Sequence, residues 1–170
     1  VLLHIHTIKG KGLKYAEENR EAWHAGGPFN IEDGSLKYPV AKDDTVFNSL
    51  KELLDTNSKA VVLNAGTPMG LGFVKGIREE YVNKGKFIDV GIAEENAVGM
   101  ISGIAKNGGI PVFGTFAPFL QRVYDQVSHD LCLNDNPSVI LAINPGVYGM
   151  NSDTHIALCD IQEFSHIPNF

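Results

Sequence analysis

The apolar positions divide the chain into a patternless first quarter and a strongly rhythmic remainder. Residues 1–7 (VLLHIHT) form an apolar run that ends at Ile8-Lys9-Gly10-Lys11-Gly12, and they predict a short buried strand. Residues 10–45 show no sustained period. They carry turn signals at Gly26-Gly27-Pro28, Asp33-Gly34 and Tyr38-Pro39. So much loop is unusual inside one compact domain, which predicts a linker and a boundary near residue 42. The expected organisation is therefore 1–42 as the end of a preceding domain plus linker, and 43–170 as a domain of its own.

From residue 45 the pattern becomes regular. Residues 45–55 have helical spacing, with Val46, Leu50, Leu53 and Leu54 on one stripe. Residues 60–64 (AVVLN) predict a buried strand, followed by a Gly-rich loop and a helix near 73–83. A second strand is expected at 87–90 and a second helix at 93–106. Two further strands, 111–115 and 138–143, flank a helix from about 118 to 131. Strands that alternate with helices and are apolar throughout predict an α/β fold: an open, mostly parallel sheet with helices on both faces, preceded by a strand and a long linker. Ligands of such sheets bind beyond the carboxyl ends of the strands. That directs attention to the loops 65–72, 91–94, 116–119 and 144–155.

Composition narrows the class. With 170 residues and 44% hydrophobic content, the chain can build one ordinary core with length to spare. A net charge of -6 argues against a nucleic-acid surface, which needs clustered Lys and Arg. No apolar run approaches the roughly 18 residues of a membrane span. Two cysteines, Cys132 and Cys159, make no disulfide framework and fit a reducing cytoplasm; Cys132 is expected to be buried in a helix. The chain begins at Val1, inside an apolar run, and so reads as a piece of something longer.

Three segments could carry chemistry. In Asp89-Val90-Gly91-Ile92-Ala93-Glu94-Glu95-Asn96-Ala97-Val98 a strand ends, Gly91 permits a tight turn, and a helix opens with Glu94 in its first turn. An acid there complements the helix dipole without further purpose; at a strand's carboxyl end it can also face a ligand. In the run from Thr115 to Gln126, Phe119 and Arg122 lie three apart and so share a helix face. The third segment, Asn151-Ser152-Asp153-Thr154-His155, places a histidine on the ligand-binding edge after the last strand.

Taken in order, DVGIAE-x-x-AV, FLQRVYDQV-x-HD, a glycine loop ending in TH and followed by D, and IPN resemble the 1-deoxy-D-xylulose-5-phosphate synthase family. The upstream Thr7 to Gly12 segment, Trp23-His24 and Gly27-Pro28-Phe29 are similar to that family's linker, so the resemblance covers nearly all of the chain. It implies a thiamine-diphosphate fold, with this chain holding the pyrimidine-binding domain. It also implies transfer of a two-carbon unit from pyruvate to glyceraldehyde 3-phosphate, giving 1-deoxy-D-xylulose 5-phosphate for isoprenoid precursor synthesis. Glu94 matches the glutamate that hydrogen-bonds the pyrimidine N1′ of thiamine diphosphate and thereby activates the cofactor. Phe119 matches the aromatic stacked on that ring, and Arg122 a neighbour of the site. His155 matches a histidine that handles protons near the reacting substrate, and His24 a linker histidine near the active site. Lys9 is placed toward the diphosphate, and Thr67 with Met69 along the thiazolium side. Diphosphate and Mg²⁺ are expected on a preceding domain, and a homodimer is expected because such cofactors sit between domains. The partners are then small molecules, pyruvate and an aldehyde phosphate, with no nucleic acid and no membrane.

The chain departs from the family at identifiable places. Glu95-Asn96 replaces the family's Gln-His, and Phe116 replaces a tyrosine. Asn144-Pro145-Gly146 stands where the family has DRAG, so Pro145 removes an arginine expected to hold the acceptor's phosphate. Asn151 replaces an acid. These departures keep open a transketolase-like enzyme with another donor or acceptor, or a non-catalytic paralogue. Two other signals do not stand: the glycines from Gly70 to Gly76 are mis-spaced for a dinucleotide fingerprint, and His4 with His6 lacks a third ligand, so no metal site is assigned.

Overall fold

The computed structural model describes residues 1–24, 26–38, 44–147 and 154–170. The chain falls into two compact units, Val1–Asp43 and Asp44–Phe170. The first unit departs from expectation. Residues 1–7 form no strand, and Val1, Leu2, Leu3 and Ile5 are exposed. A strand needs a neighbour to complete its ladder, and among the described residues none pairs with this run. The stretch read as linker is in turn better ordered than its sequence suggests. It holds a short helix, α1 (Lys14–Glu18), and an antiparallel bridge between Phe29 and Leu36. Trp23 stacks on Tyr15 at 5.7 Å and meets Phe29 edge-on at 4.7 Å, giving this unit an aromatic centre.

The second unit follows the predicted alternation. Its elements are α2 (Thr45–Thr56), β1 (Ala60–Asn64), a 3₁₀ turn (Pro68–Leu71), α3 (Lys75–Asn83), β2 (Phe87–Asp89), α4 (Glu94–Lys106) and β3 (Ile110–Phe116). A long helical segment, β4 (Val139–Ile143) and the unanticipated α6 (Asp160–Phe164) complete it. The four strands form one parallel sheet in the order β2-β1-β3-β4. Every residue of β1 is buried, as a central parallel strand covered on both faces must be. The twofold alternation then sorts side chains into two cores. Val61, Leu63 and Phe113 pack with Ala97, Val98 and Ile101 of α4 and with Leu120, Val123 and Val127. Val62 and Val112 pack on the other face with Leu50, Leu54, Phe73, Tyr81 and Phe87, under α2 and α3. Phe164 and Ile167, spaced by one turn around the end of α6, close the first core.

The expected single α-helix at 118–131 is replaced by three windings. A 3₁₀ helix (Ala117–Val123) passes through one short α-turn, α5 (Tyr124–Gln126), into a π-helical stretch (Val127–Leu133). The buried positions explain this. Ala117, Leu120 and Val123 recur every third residue, the period of a 3₁₀ helix, whereas Val123, Val127 and Leu131 recur every fourth with Cys132 added. The chain winds tightly and then loosely, which keeps one face on the sheet. Burial pushes the Cys132 thiol up from its ordinary range, and both Cys132 and Cys159 are free. No helix of the described residues is long and apolar enough to cross a membrane.

Close packing of β3 against the turn after β1 fixes one glycine. A Cβ at Gly114 would lie 2.6 Å and 2.7 Å from the two Cδ atoms of Leu71, itself fully buried. Gly114→Ala should therefore overpack the second core and lower stability by about 1–3 kcal/mol. In urea the unfolding midpoint should fall while the slope stays unchanged.

Candidate functional site

The carboxyl ends of the strands carry a polar frame that composition alone did not disclose. Asn64 is the last residue of β1 and wholly buried, so its amide must be satisfied locally. It donates to the Gly114 carbonyl at 2.7 Å and to Thr67 Oγ1 at 3.2 Å, and it accepts from the Thr67 amide at 2.6 Å. This locks the start of the loop after β1. Asp89, last in β2, accepts from the amides of Gly66 at 2.9 Å and Gly91 at 3.0 Å, joining the loops that follow β1 and β2. Gly66 (φ 71°) and Gly91 (φ 72°) both take left-handed turns here, which favour glycine. Gly70 completes the approach: a Cβ there would lie 3.2 Å from Ile143 Cδ1 and 3.4 Å from the Phe116 ring, so the 68–71 turn leans on the ends of β3 and β4.

Glu94 opens α4 at the carboxyl edge of this sheet. It is 1% exposed, a depth at which a capping acid is seldom found. Its two oxygens receive only long contacts from Arg122 Nη1, 3.4 Å to Oε1 and 3.3 Å to Oε2. The ion pair is one-sided: the Arg122 side chain is 49% exposed and the Glu94 side chain 2%. Dipole complementarity at the helix N-terminus adds to the favourable field. Much of the carboxylate's hydrogen-bonding capacity is thus left for another donor.

The 3₁₀ winding of residues 117–123 supplies the geometry beside it. Residues three apart eclipse in a 3₁₀ helix, so Phe119 and Arg122 stand in line rather than merely on one face. The Arg122 guanidinium lies 5.4 Å from the Phe119 ring centre, a cation–π distance. Phe116 meets the same ring edge-on at 6.2 Å and His155 at 5.2 Å. The His155 Nδ1 is 2.9 Å from Thr154 Oγ1. One half-buried aromatic ring therefore connects an arginine, through it a buried carboxylate, and a histidine.

The structure thus brings Glu94, Phe119, Arg122 and His155 into one cluster, with the 68–71 turn reaching it through Phe116. Thr67 is held by Asn64, and Met69 is exposed on the same loop. Lys9 and His24 belong to the first unit, where Lys9 Nζ stands 3.5 Å from both ring nitrogens of His24. Pro145 lies exposed beyond β4, and Asn151 lies outside the described residues. Among the described residues, no group of three or more His, Cys, Asp or Glu is arranged to hold a metal ion. The bonds that Asn64 and Asp89 make were not foreseen from sequence, although each is a polar residue ending an apolar strand run, which is a usable signal. Thr115 was missed too: its hydroxyl is buried without a hydrogen-bond partner near the end of β3.

Residues 42–170 match the family model described as "Transketolase, pyrimidine binding domain". A 1-deoxy-D-xylulose-5-phosphate synthase from Clostridium acetobutylicum is 39% identical over 173 residues, covering 99% of this chain and 27% of that protein. One from Aliarcobacter butzleri is 40% identical over 172 residues, covering 99% and 28% respectively. The chain therefore spans little more than a quarter of the length of the curated relatives it matches. Among solved structures, a split-gene transketolase described as an inactive beta4 tetramer superposes with a TM-score of 0.60 at 27% identity, over 74% of this chain and 39% of that one. Transketolase from Leishmania mexicana gives a TM-score of 0.65 at 17% identity, over 78% and 22%, and shares the fold.

Asp89 offers a direct check on the frame. Asp89→Ala should speed amide exchange at Gly66 and Gly91 selectively, leaving the β1 and β3 ladders protected, whereas Asp89→Asn, which keeps an acceptor oxygen, should stay near wild type.

Proposed function

The chain belongs to the transketolase pyrimidine-binding-domain family, and from that premise we propose that it carries the pyrimidine end of a thiamine-diphosphate site in a 1-deoxy-D-xylulose-5-phosphate synthase. The observation that carries this reading is the buried Glu94 carboxylate, under-supplied with donors and set beside the Phe119 ring. A carboxyl group in that position can share a proton with a ring nitrogen, here N1′ of the pyrimidine, in a site dry enough for the bond to matter. The donor set fits the cofactor, which when bound supplies a carbon nucleophile and an electron sink.

The chain's own residues take distinct parts. Glu94 holds the proton at the pyrimidine nitrogen, and Phe119 offers its face to the ring, a contact worth about 1 kcal/mol beyond area. Arg122 stands against both Glu94 oxygens and steadies the Phe119 ring. His155, against the same ring, is positioned to take or give protons at the substrate. Thr67 and Met69 line the thiazolium side. In the first unit Lys9 serves the diphosphate side and His24 the reacting centre. Residues 1–42 would be the end of the diphosphate-binding domain with its linker, and that domain would hold Mg²⁺. The whole enzyme would be a cytoplasmic homodimer, transferring a two-carbon unit from pyruvate to glyceraldehyde 3-phosphate.

Pro145 and Phe116 favour a second reading, in which the cofactor chemistry is kept and the acceptor differs. Proline offers no charge where an arginine would hold a phosphate, and phenylalanine no hydroxyl.

Full-length protein with thiamine diphosphate, Mg²⁺ and pyruvate separates the readings. Carbon dioxide release that requires glyceraldehyde 3-phosphate supports the synthase, and release with another aldehyde supports the second. Glu94→Gln can accept or donate but cannot exchange the proton, so turnover should fall by about 10²- to 10⁴-fold. Thermal unfolding should be little changed. A Glu94→Gln enzyme with most of its activity would refute the assigned role.

A further inference from the structure

Charge is divided unevenly along the chain. All 14 Lys and Arg lie within residues 1–122, where an equal number of acids balances them. Residues 123–170 hold six acids and no Lys or Arg, so the whole net charge of -6 falls on them. The division reaches the carboxyl edge of the sheet. None of its loops, 65–72, 91–94, 116–119 and 144–155, contains a Lys or Arg. Arg122, the last cation of the chain, is occupied by the Phe119 ring and by both oxygens of Glu94.

What this edge offers instead is apolar surface in one connected band. Phe116 and Ile143, the last residues of β3 and β4, are register partners and so stand side by side on one face of the sheet. The turn after β1 closes over both, since a Cβ at Gly70 would lie 3.2 Å from Ile143 Cδ1 and 3.4 Å from the Phe116 ring. Phe116 continues the band to Phe119, edge-on at 6.2 Å, and Phe119 carries it to His155 at 5.2 Å. Phe116, Phe119 and Ile143 are half-buried, and Pro145 and Val147 are exposed just beyond β4. A phosphate pressed against this band would lose water with no counter-charge from these loops to replace it. An apolar chain has no such cost there and gains by leaving water.

We propose that Phe116 and Ile143 form the acceptor wall of the site and select an unphosphorylated aldehyde with an apolar chain. The proposal rests on the thiamine-diphosphate reading; it adds the chemical class of the acceptor, and Ile143 as a residue that selects it. In the reaction the bond between C1 and C2 of pyruvate breaks, C1 leaves as carbon dioxide, and the bonding electrons stay on C2. C2 then bonds to the aldehyde carbon, whose oxygen takes the carbonyl electron pair and a proton. The product is an α-hydroxyketone with an apolar tail. His155, at the end of the band, is the group placed to give that proton.

Full-length protein with thiamine diphosphate, Mg²⁺ and pyruvate should be offered ethanal, propanal, butanal and glyceraldehyde 3-phosphate in parallel, with the hydroxyketone identified by mass. kcat/KM is expected to rise about fourfold with each methylene, the ordinary hydrophobic increment. Butanal should exceed glyceraldehyde 3-phosphate by about tenfold or more. Pro145→Arg, a cation added at the rim of the band, should raise kcat/KM for the phosphate ester, and Phe116→Tyr should flatten the dependence on chain length. A second readout needs no turnover. In the 170-residue chain labelled with ¹³C at isoleucine Cδ1, the unreactive analogue butan-1-ol should shift Ile143 saturably and leave the wholly buried Ile101 in place. Glycerol 3-phosphate at constant ionic strength should move neither. Preference for glyceraldehyde 3-phosphate, a flat chain-length series, or an unmoved Ile143 overturns the proposal and leaves the thiamine reading standing. No carbon dioxide release with any acceptor overturns the thiamine reading, and the acceptor assignment with it.

Discussion

A central parallel strand has no solvent face, and this constraint orders the second unit. β1 can bury all five of its residues only if helices cover both sides of the sheet, which requires the chain to cross over between strands. Each crossover returns through a loop at the carboxyl edge, and those loops collect there whatever their sequence. Polar groups that end the strands must then find partners among the loops. Asn64 and Asp89 do so, which makes the edge a rigid rim rather than a set of free turns.

The same economy of burial shapes the helical segment after β3. Its apolar residues are spaced first by three and then by four, and the backbone changes its winding to follow them. The first, tighter part brings Phe119 and Arg122 into register, so the guanidinium can cover the ring while its Nη1 reaches Glu94. An ordinary α-helix would place residues three apart about 300° around the axis and splay them. The local geometry of the candidate site thus depends on where the core residues of the same segment fall.

The sequence made the second unit readable because its strands are uniformly apolar and its helices periodic, signals that come from burial itself. β1, β3 and β4 and the helices α2 and α4 follow directly from them. In the first unit the strand expected at residues 1–7 is absent, for the opposite reason. The run VLLHIHT is apolar without a strand to pair with, and a strand is a property of two segments. The aromatic centre formed by Tyr15, Trp23 and Phe29 has no period, since three rings eight and six residues apart meet only through turns. In the site, Glu94, Phe119, Arg122 and His155 were legible as members of motifs, but their mutual contacts were not. Neither the depth of Glu94 nor the alignment of the Phe119 ring follows from residue type alone.

The two halves of the proposed chemistry rest on different kinds of structure. The groups assigned to the cofactor are anchored in the sheet and the core: Glu94 opens a helix whose next buried residues are Ala97 and Val98, and Thr67 is bonded to the end of β1. They are held in place by the fold. Pro145 is instead exposed after an edge strand, beyond Asn144 in a left-handed turn at φ 50°. Nothing in the core constrains that position. A substitution there leaves unaltered the rim that Asn64 and Asp89 hold.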